Sequence, residues 1–245
     1  NMVERPKDAM IEQEEYIIFD IETTGFDPYK DKIIEIGAVK LKGRNIIDRF
    51  SAFVNPEVPI PEEIIKLTNI TDDMVKDAEL IDTVLPRFLE SCGDCTMVAH
   101  NAKFDVGFLT QKARQLELEF LPSVIDTLYW ARVLITDLKR FNLKALANYF
   151  NISLDNHHRA VDDAEATASI FIKMLNMVLS KGILQIYEIN DTFQNNVQTA
   201  DTMNTMILVK NREGLKDLYE LISRSHLDFF VERKLGETVF FTQAD

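Results

Sequence analysis

Cysteine is nearly absent from this chain, with only Cys92 and Cys95 among 245 residues. A disulfide-stapled scaffold is thereby excluded. The spacing Cys92-Gly93-Asp94-Cys95 is that of half a zinc site, but zinc takes about four ligands and no second pair exists to complete the set. A thioredoxin-like pair would open a helix just after a strand. This one follows an apolar helical pattern and precedes Met97-Val98-Ala99, so both thiols are expected in an exposed connection, without zinc. Glycine and proline are sparse as well, at 8 and 7 residues, which excludes collagen-like and low-complexity chains. No apolar run approaches the ~18–20 residues that cross a bilayer. Residues 2–8 are polar and lack the basic-then-apolar order of a leader. A cytoplasmic protein with no membrane partner is expected.

Positive charge is also in short supply. Lys and Arg number 27 against 40 Asp and Glu, a formal net charge of −13. A protein that held nucleic acid by phosphate neutralisation alone would be basic. If this chain handles nucleic acid, bound cations or another polypeptide must supply part of the attraction. What is abundant is ordinary: 46% hydrophobic and 27% charged residues describe a soluble globular protein.

The hydrophobic pattern opens with a buried strand over 16–22, ending in Asp20 and Glu22 and followed by the turn Thr23-Thr24-Gly25. Strand-like runs over 32–42 and 46–54, separated by Gly43-Arg44-Asn45, predict antiparallel hairpins. Beyond Pro56, Pro59 and Pro61 the period becomes helical over 62–68, over 72–76 behind the cap candidate Thr71, and over 81–91, where Pro86 interrupts. A strand over 96–99 leads to a helix over 104–116, and a strand over 123–125 to a helix over 127–135. Helices follow over 143–150 and 160–179, the last with Ala164, Ala168, Phe171, Leu175 and Val178 on one face. Hairpin strands followed by strand–helix alternation predict a mixed β-sheet flanked by helices. The stretch 190–205 reads as a linker, 205–211 as a strand, 212–230 as an amphipathic helix and 231–245 as a hairpin through Leu235-Gly236-Glu237.

Three elements of this unit carry acids. In a strand alternate side chains share a face, so Asp20 and Glu22 project together where the turn gives open access. Two carboxylates in an apolar run cost several kcal/mol if desolvated and unpaired, so something positive belongs beside them. Asp105 falls in the first turn of the helix that follows His100-Asn101, where an anion also suits the helix dipole. In His157-His158-Arg159-Ala160-Val161-Asp162-Asp163-Ala164 a histidine precedes a helix that carries acids in its first turns. His157 to Asp162 and His158 to Asp163 have equal spacing. Asp163 lies beside the apolar face through Ala164 and Ala168, and Asp162 is turned a further 100° away.

Residues 19–25, the Asn101 to Asp105 segment, and His158 with Asp163-Ala164 together resemble the three motifs of the DEDDh 3′–5′ exonucleases of the ribonuclease-H-like superfamily. The likeness runs in order over two thirds of the chain. His157-His158-Arg159-Ala160, Glu165-Ala166-Thr167-Ala168 and Leu208-Val209-Lys210-Asn211 are most similar to the exonuclease domain of PolC-type bacterial DNA polymerase III. The resemblance implies an exonuclease domain over 16–180, with 1–15 and 181–245 as flanks from a polymerase-and-histidinol-phosphatase (PHP) host domain. It implies two divalent cations, Mg²⁺ or Mn²⁺, held by Asp20, Glu22, Asp105 and Asp163. His158 would be the general base that takes a proton from the attacking water. Thr23, Thr24, Asn101 and Phe104 would contact the substrate, a single-stranded or frayed 3′ end of DNA, and the remainder of a replicative polymerase would be the partner. The His-x-Ala-x-x-Asp-Ala pattern of the family places the site register on His158 and Asp163. An RNA-trimming enzyme of the same superfamily is the nearest rival, and a catalytically silent interaction module a more distant one.

Overall fold

In the computed structural model, residues 10–154 and 159–184 are described in full, together with the backbone of 230–232 and 238–240. The chain forms two units, residues 1–191 and 192–245. The first is built on a five-stranded sheet of order β3-β2-β1-β4-β5. Strands β1 (Glu15–Thr23), β2 (Ile33–Lys42) and β3 (Asn45–Phe53) make an antiparallel meander, whereas β4 (Thr96–Ala99) and β5 (Val124–Asp126) add parallel to β1. Helices α1 (Glu62–Thr68), α2 (Asp72–Val75) and α3 (Ile81–Cys92) follow the meander, and α4 (Lys103–Gln115) connects β4 to β5. Helices α5 (Thr127–Leu134), α6 (Leu143–Phe150) and α7 (Ala160–Ser180) close the unit. This is the mixed sheet with flanking helices that the pattern predicts. No helix among the described residues is long and apolar enough to cross a membrane.

The period of two along β1 divides the core. Ile17, Phe19 and Ile21 face Val84, Leu85 and Phe88 of α3 and Phe108 and Leu109 of α4. Tyr16, on the opposite face, meets Phe171 of α7 edge-on with centroids 5.0 Å apart, and Trp130 of α5 packs on the same phenylalanine. Asp20 and Glu22 share the Tyr16 face, so the sheet itself directs them toward α7. One contact fixes how near α7 comes. A Cβ on Gly37, the partner of Asp20 in β2, would lie 2.1 Å from the Val161 nitrogen and 2.2 Å from the Ala160 carbonyl carbon. Only glycine lets the first turn of α7 rest on the strand.

Three local expectations are corrected. Pro86 neither ends nor restarts α3, which runs through it. Its side chain removes only the one backbone bond that its missing N–H would have made. The Thr71 side chain does not cap α2. The neighbouring Asp72 carboxylate instead accepts from the Ile60 N–H at 2.9 Å, tying α2 to the segment before α1. Cys92 is not an exposed loop residue: it is the last residue of α3, 4% exposed and part of the main core, while Cys95 is half-buried. Burial pushes the Cys92 thiol up to about 12.

Near the first and last fully described residues of this unit, two segments meet. The Ile11 N–H donates to the Leu184 carbonyl at 2.9 Å, and the Tyr16 hydroxyl donates to the Ile11 carbonyl at 2.9 Å. In the second unit Phe230–Glu232 (β6) pairs antiparallel with Thr238–Phe240 (β7), the hairpin expected there. The strand and helix expected over 205–211 and 212–230 lie outside the described residues, as does most of the sequence likened to a PHP domain.

Candidate active site

The site is assembled at the C-terminal end of β1, where β1 outruns its parallel neighbour. Pairing with β4 stops at Ile18 and Val98, so the Ile21 N–H on that side finds no strand. Asp105, in the first turn of α4 and 3% exposed, reaches over and accepts it on Oδ1 at 3.1 Å. From the other side α7 brings Asp163, 4% exposed. Carboxylate oxygens of Asp20, Glu22 and Asp163 lie within 4.8 Å of one another, the only group among the described residues with the makings of a metal site. The structure therefore brings together three of the four expected acids and holds the fourth against the backbone of β1. Asp163 lies in this group, while Asp162 keeps part of its exposure.

The electrostatics of this cluster are those of a site short of positive charge. Burial, then repulsion from Asp105, Glu22 and Asp163, raises Asp20 well above the ordinary carboxylate range. Burial and the neighbouring carboxylates push Glu22 up to about 8. Asp105 is pushed up to about 8, chiefly by burial, although its hydrogen bond from Ile21 works the other way. Oxygen ligands converging at this spacing, disfavoured as free anions, fit a hard divalent cation.

Two residues that motif reasoning passed over hold α7 in place. Glu35 of β2, 1% exposed, accepts from Arg159 Nη2 at 2.9 Å and from the Ala160 N–H at 3.1 Å. The Arg159 guanidinium also lies over the Phe53 ring, 5.1 Å from its centroid. Glu35 thus satisfies an otherwise orphaned N–H at the start of α7 and neutralises the cation beside it. Nothing local marks this role, since Glu35 stands in the apolar run of β2 and its partner is 124 positions away. His157 and His158, immediately before Arg159, lie outside the described residues.

The residues expected to contact substrate differ in exposure. The Thr23 hydroxyl donates to the Gly25 carbonyl at 2.6 Å, and the Thr24 hydroxyl accepts from the Lys32 N–H at 2.9 Å. Both side chains are buried and build the turn rather than face outward. Asn101 is exposed with φ 62°, a left-handed conformation that asparagine tolerates well, and its N–H donates to Asp126 Oδ1 at 3.1 Å. Asp126 also caps α5 through the Leu128 N–H at 2.8 Å, a positioning role the sequence did not disclose. Phe104 is half-buried against Phe108 and meets Phe26, whose ring is 76% exposed, at 6.3 Å between centroids. His100 of the same motif is structural: it bonds to Thr127 Oγ1 at 3.0 Å, and burial lowers it to about 4.

A sheet of this order with three acids gathered at the end of its central strand defines the class. Residues 17–171 match the RNase T exonuclease family, and the chain belongs to that family. Among curated relatives, the PolC-type DNA polymerase III of Caldanaerobacter subterraneus subsp. tengcongensis is 50% identical over 219 residues, covering 88% of this chain and 16% of the relative. The PolC-type DNA polymerase III of Bacillus subtilis (strain 168) is 44% identical over 225 residues, covering 90% and 16%. The chain thus spans 16% of the length of these relatives. Among solved structures, Exonuclease X in complex with 5′-overhanging duplex DNA matches with a TM-score of 0.54 and 30% identity, over 66% of this chain and 91% of that one. The nuclease domain of 3′hExo, a DEDDh family member bound to rAMP, shares the fold with a TM-score of 0.59 at 22% identity, over 69% and 94%.

Proposed function

We propose that this chain is a metal-dependent 3′–5′ exodeoxyribonuclease that releases nucleoside 5′-monophosphates, and that it proofreads as part of a PolC-type DNA polymerase III. The observation that carries the reading is the Asp20, Glu22 and Asp163 cluster in a chain 50% identical to such a polymerase. Asp20, Glu22, Asp105 and Asp163 would hold two divalent cations, Mg²⁺ or Mn²⁺. Such ions, when bound, neutralise the charge that develops on the attacking and leaving oxygens of an in-line displacement.

The protein's own part is orientation. Asp105 contacts the backbone at the end of β1, which keeps Asp20 and Glu22 in line, while Glu35 and Gly37 set the start of α7 and with it Asp163. His158, two positions before Ala160, is the proposed general base, taking the proton of the attacking water. The exposed Phe26 ring, backed by Phe104, the residue before Asp105, would offer a terminal base a stacking face. Such stacking would offset part of the cost of unpairing a 3′ end, a few kcal/mol at most when the end is mismatched. Residues 1–15 and 181–245 are proposed to be parts of a PHP domain around the exonuclease.

Digestion of matched DNA and RNA oligomers by the full chain tests the reading. DNA should be shortened from the 3′ end, faster at mismatched than at paired primer ends, and EDTA should stop the reaction. Undiminished activity in excess EDTA, or products released from the 5′ end, would refute it. Faster loss of RNA would favour an RNA-trimming enzyme instead.

A further inference from the structure

Phosphodiester hydrolysis makes no use of Cys92 and Cys95, and both thiols are free. Helix α3 ends at Cys92, Gly93 turns the chain with φ 52°, and the Cys95 N–H donates to the Cys92 carbonyl at 3.1 Å. A turn closed in this way holds its first and last Cα atoms within ~7 Å. A disulfide spans Cα separations of about 4.4–6.8 Å. The two side chains also face one way. Cys92 belongs to the core between the sheet and α3, and Cys95 packs on that same core. The sulfurs lie close enough that Cys95 adds to the rise that burial imposes on the Cys92 thiol.

A cation distinguishes one thiol from the other. Lys40 of β2 pairs with Ile17 of β1 and so stands on the α3 side of the sheet. Its ammonium donates to the Cys95 sulfur and also meets Glu15 Oε2 at 3.4 Å. A neighbouring ammonium favours the thiolate, which is the reactive form. Cys95 is half-buried and within reach of a small reagent, whereas Cys92 is 4% exposed and sits at the negative end of α3.

We propose that Cys92 and Cys95 form a reversible dithiol site that reacts with hydroperoxides, Cys95 being the attacking sulfur and Cys92 the resolving one. The Cys95 thiolate attacks the terminal peroxide oxygen. An S–O bond forms, the O–O bond breaks, and the departing alkoxide or hydroxide takes the proton that Cys95 gave up. The Cys92 sulfur then attacks the Cys95 sulfenic acid. The S–S bond forms, the S–O bond breaks, and hydroxide leaves as water with the Cys92 proton. The two thiols lose two electrons in all and the peroxide gains them. A dithiol reverses the reaction by attack on the more accessible Cys95 sulfur.

The test treats the full chain with hydrogen peroxide and follows free thiols, mass and non-reducing electrophoresis. Both thiols should be lost together within one chain, with the mass of two hydrogens, and dithiothreitol should restore them. Cys92→Ala should stop at a Cys95 sulfenic acid that dimedone traps. Lys40→Met should slow the oxidation about threefold, since a roughly tenfold smaller thiolate fraction is partly offset by a more nucleophilic sulfur. Lys40→Arg should restore the rate, which a merely structural lysine would not require. Disulfides formed only between chains, a wild-type product that keeps one free thiol, or an unchanged rate in Lys40→Met would each overturn the proposal. The wild-type stoichiometry and the Lys40 variants decide the matter even if Cys92→Ala fails to fold. No readout involves nucleic acid, so the result is independent of the exonuclease reading.

Discussion

Asp162 and Asp163 differ in what surrounds them more than in what they are. Asp163 is buried and within reach of Asp20 and Glu22, whereas its neighbour keeps part of its exposure. Asp163→Ala should therefore abolish detectable turnover even at saturating Mn²⁺, while Asp162→Ala should stay within about tenfold of wild type; single-turnover assays on a DNA oligomer check both. The cysteines divide in the same way. Cys92 lies in the core and Cys95 at its edge, so Cys92→Ser should cost ~1–3 kcal/mol by burying a hydroxyl. Cys95→Ser should cost less than half as much, and urea unfolding distinguishes the two. The Cys-x-x-Cys spacing gave no hint of this asymmetry, because it conveys separation along the chain and not which residue ends a helix against the sheet.

At the scale of elements, the contact that matters most is α7 on β2. Gly37→Ala would drive a methyl into the Val161 nitrogen and the Ala160 carbonyl carbon. Backbone atoms cannot swing aside as a flexible side chain can, so the first turn of α7 must lift from the sheet and carry Asp163 with it. The expected outcome is a loss of ~1–3 kcal/mol together with a larger loss of kcat than of stability, measured on the same preparation. Glu35→Gln should be milder than Glu35→Ala, since the amide oxygen can still accept the Ala160 N–H. How much of this was legible follows the chemistry. The bounds of β4 and α6 were readable to the residue, because turn residues and a change of period flank them. The Asp20, Glu22 and Asp163 elements were readable because acids stand out in apolar runs. Glu35 was equally conspicuous as a lone acid in β2, but its meaning depends on Arg159, and pairing across so much chain leaves no periodic trace. The turn-closing hydrogen bonds of the Thr23 and Thr24 hydroxyls were not legible either, because their partners, Gly25 and Lys32, are set by how the loop folds back and leave no periodic trace.

For the whole molecule, the acid cluster makes stability depend on pH and on divalent ions together. Glu22 rises from 4.5 to about 8 in the folded protein. Between those values the folded state binds more protons than the unfolded state, so without divalent ions stability should fall as pH rises from 4.5 toward 8 and then level off. Ions that neutralise the cluster should remove that slope. Scanning calorimetry at pH 5 and pH 8 should therefore show a larger rise in Tm on adding Mg²⁺ or Mn²⁺ at pH 8. The same unit also ties an early segment to a late one by a single backbone bond. Ile11 and Leu184 lie one hydrogen bond apart, so tension applied between the two arms of chain meets that bond first, before any strand of the sheet is loaded. Pulling on handles at positions 10 and 184 should break that bond while the acids at the C-terminal end of β1 are still in register, a first rupture that mechanical unfolding would record as a small early step.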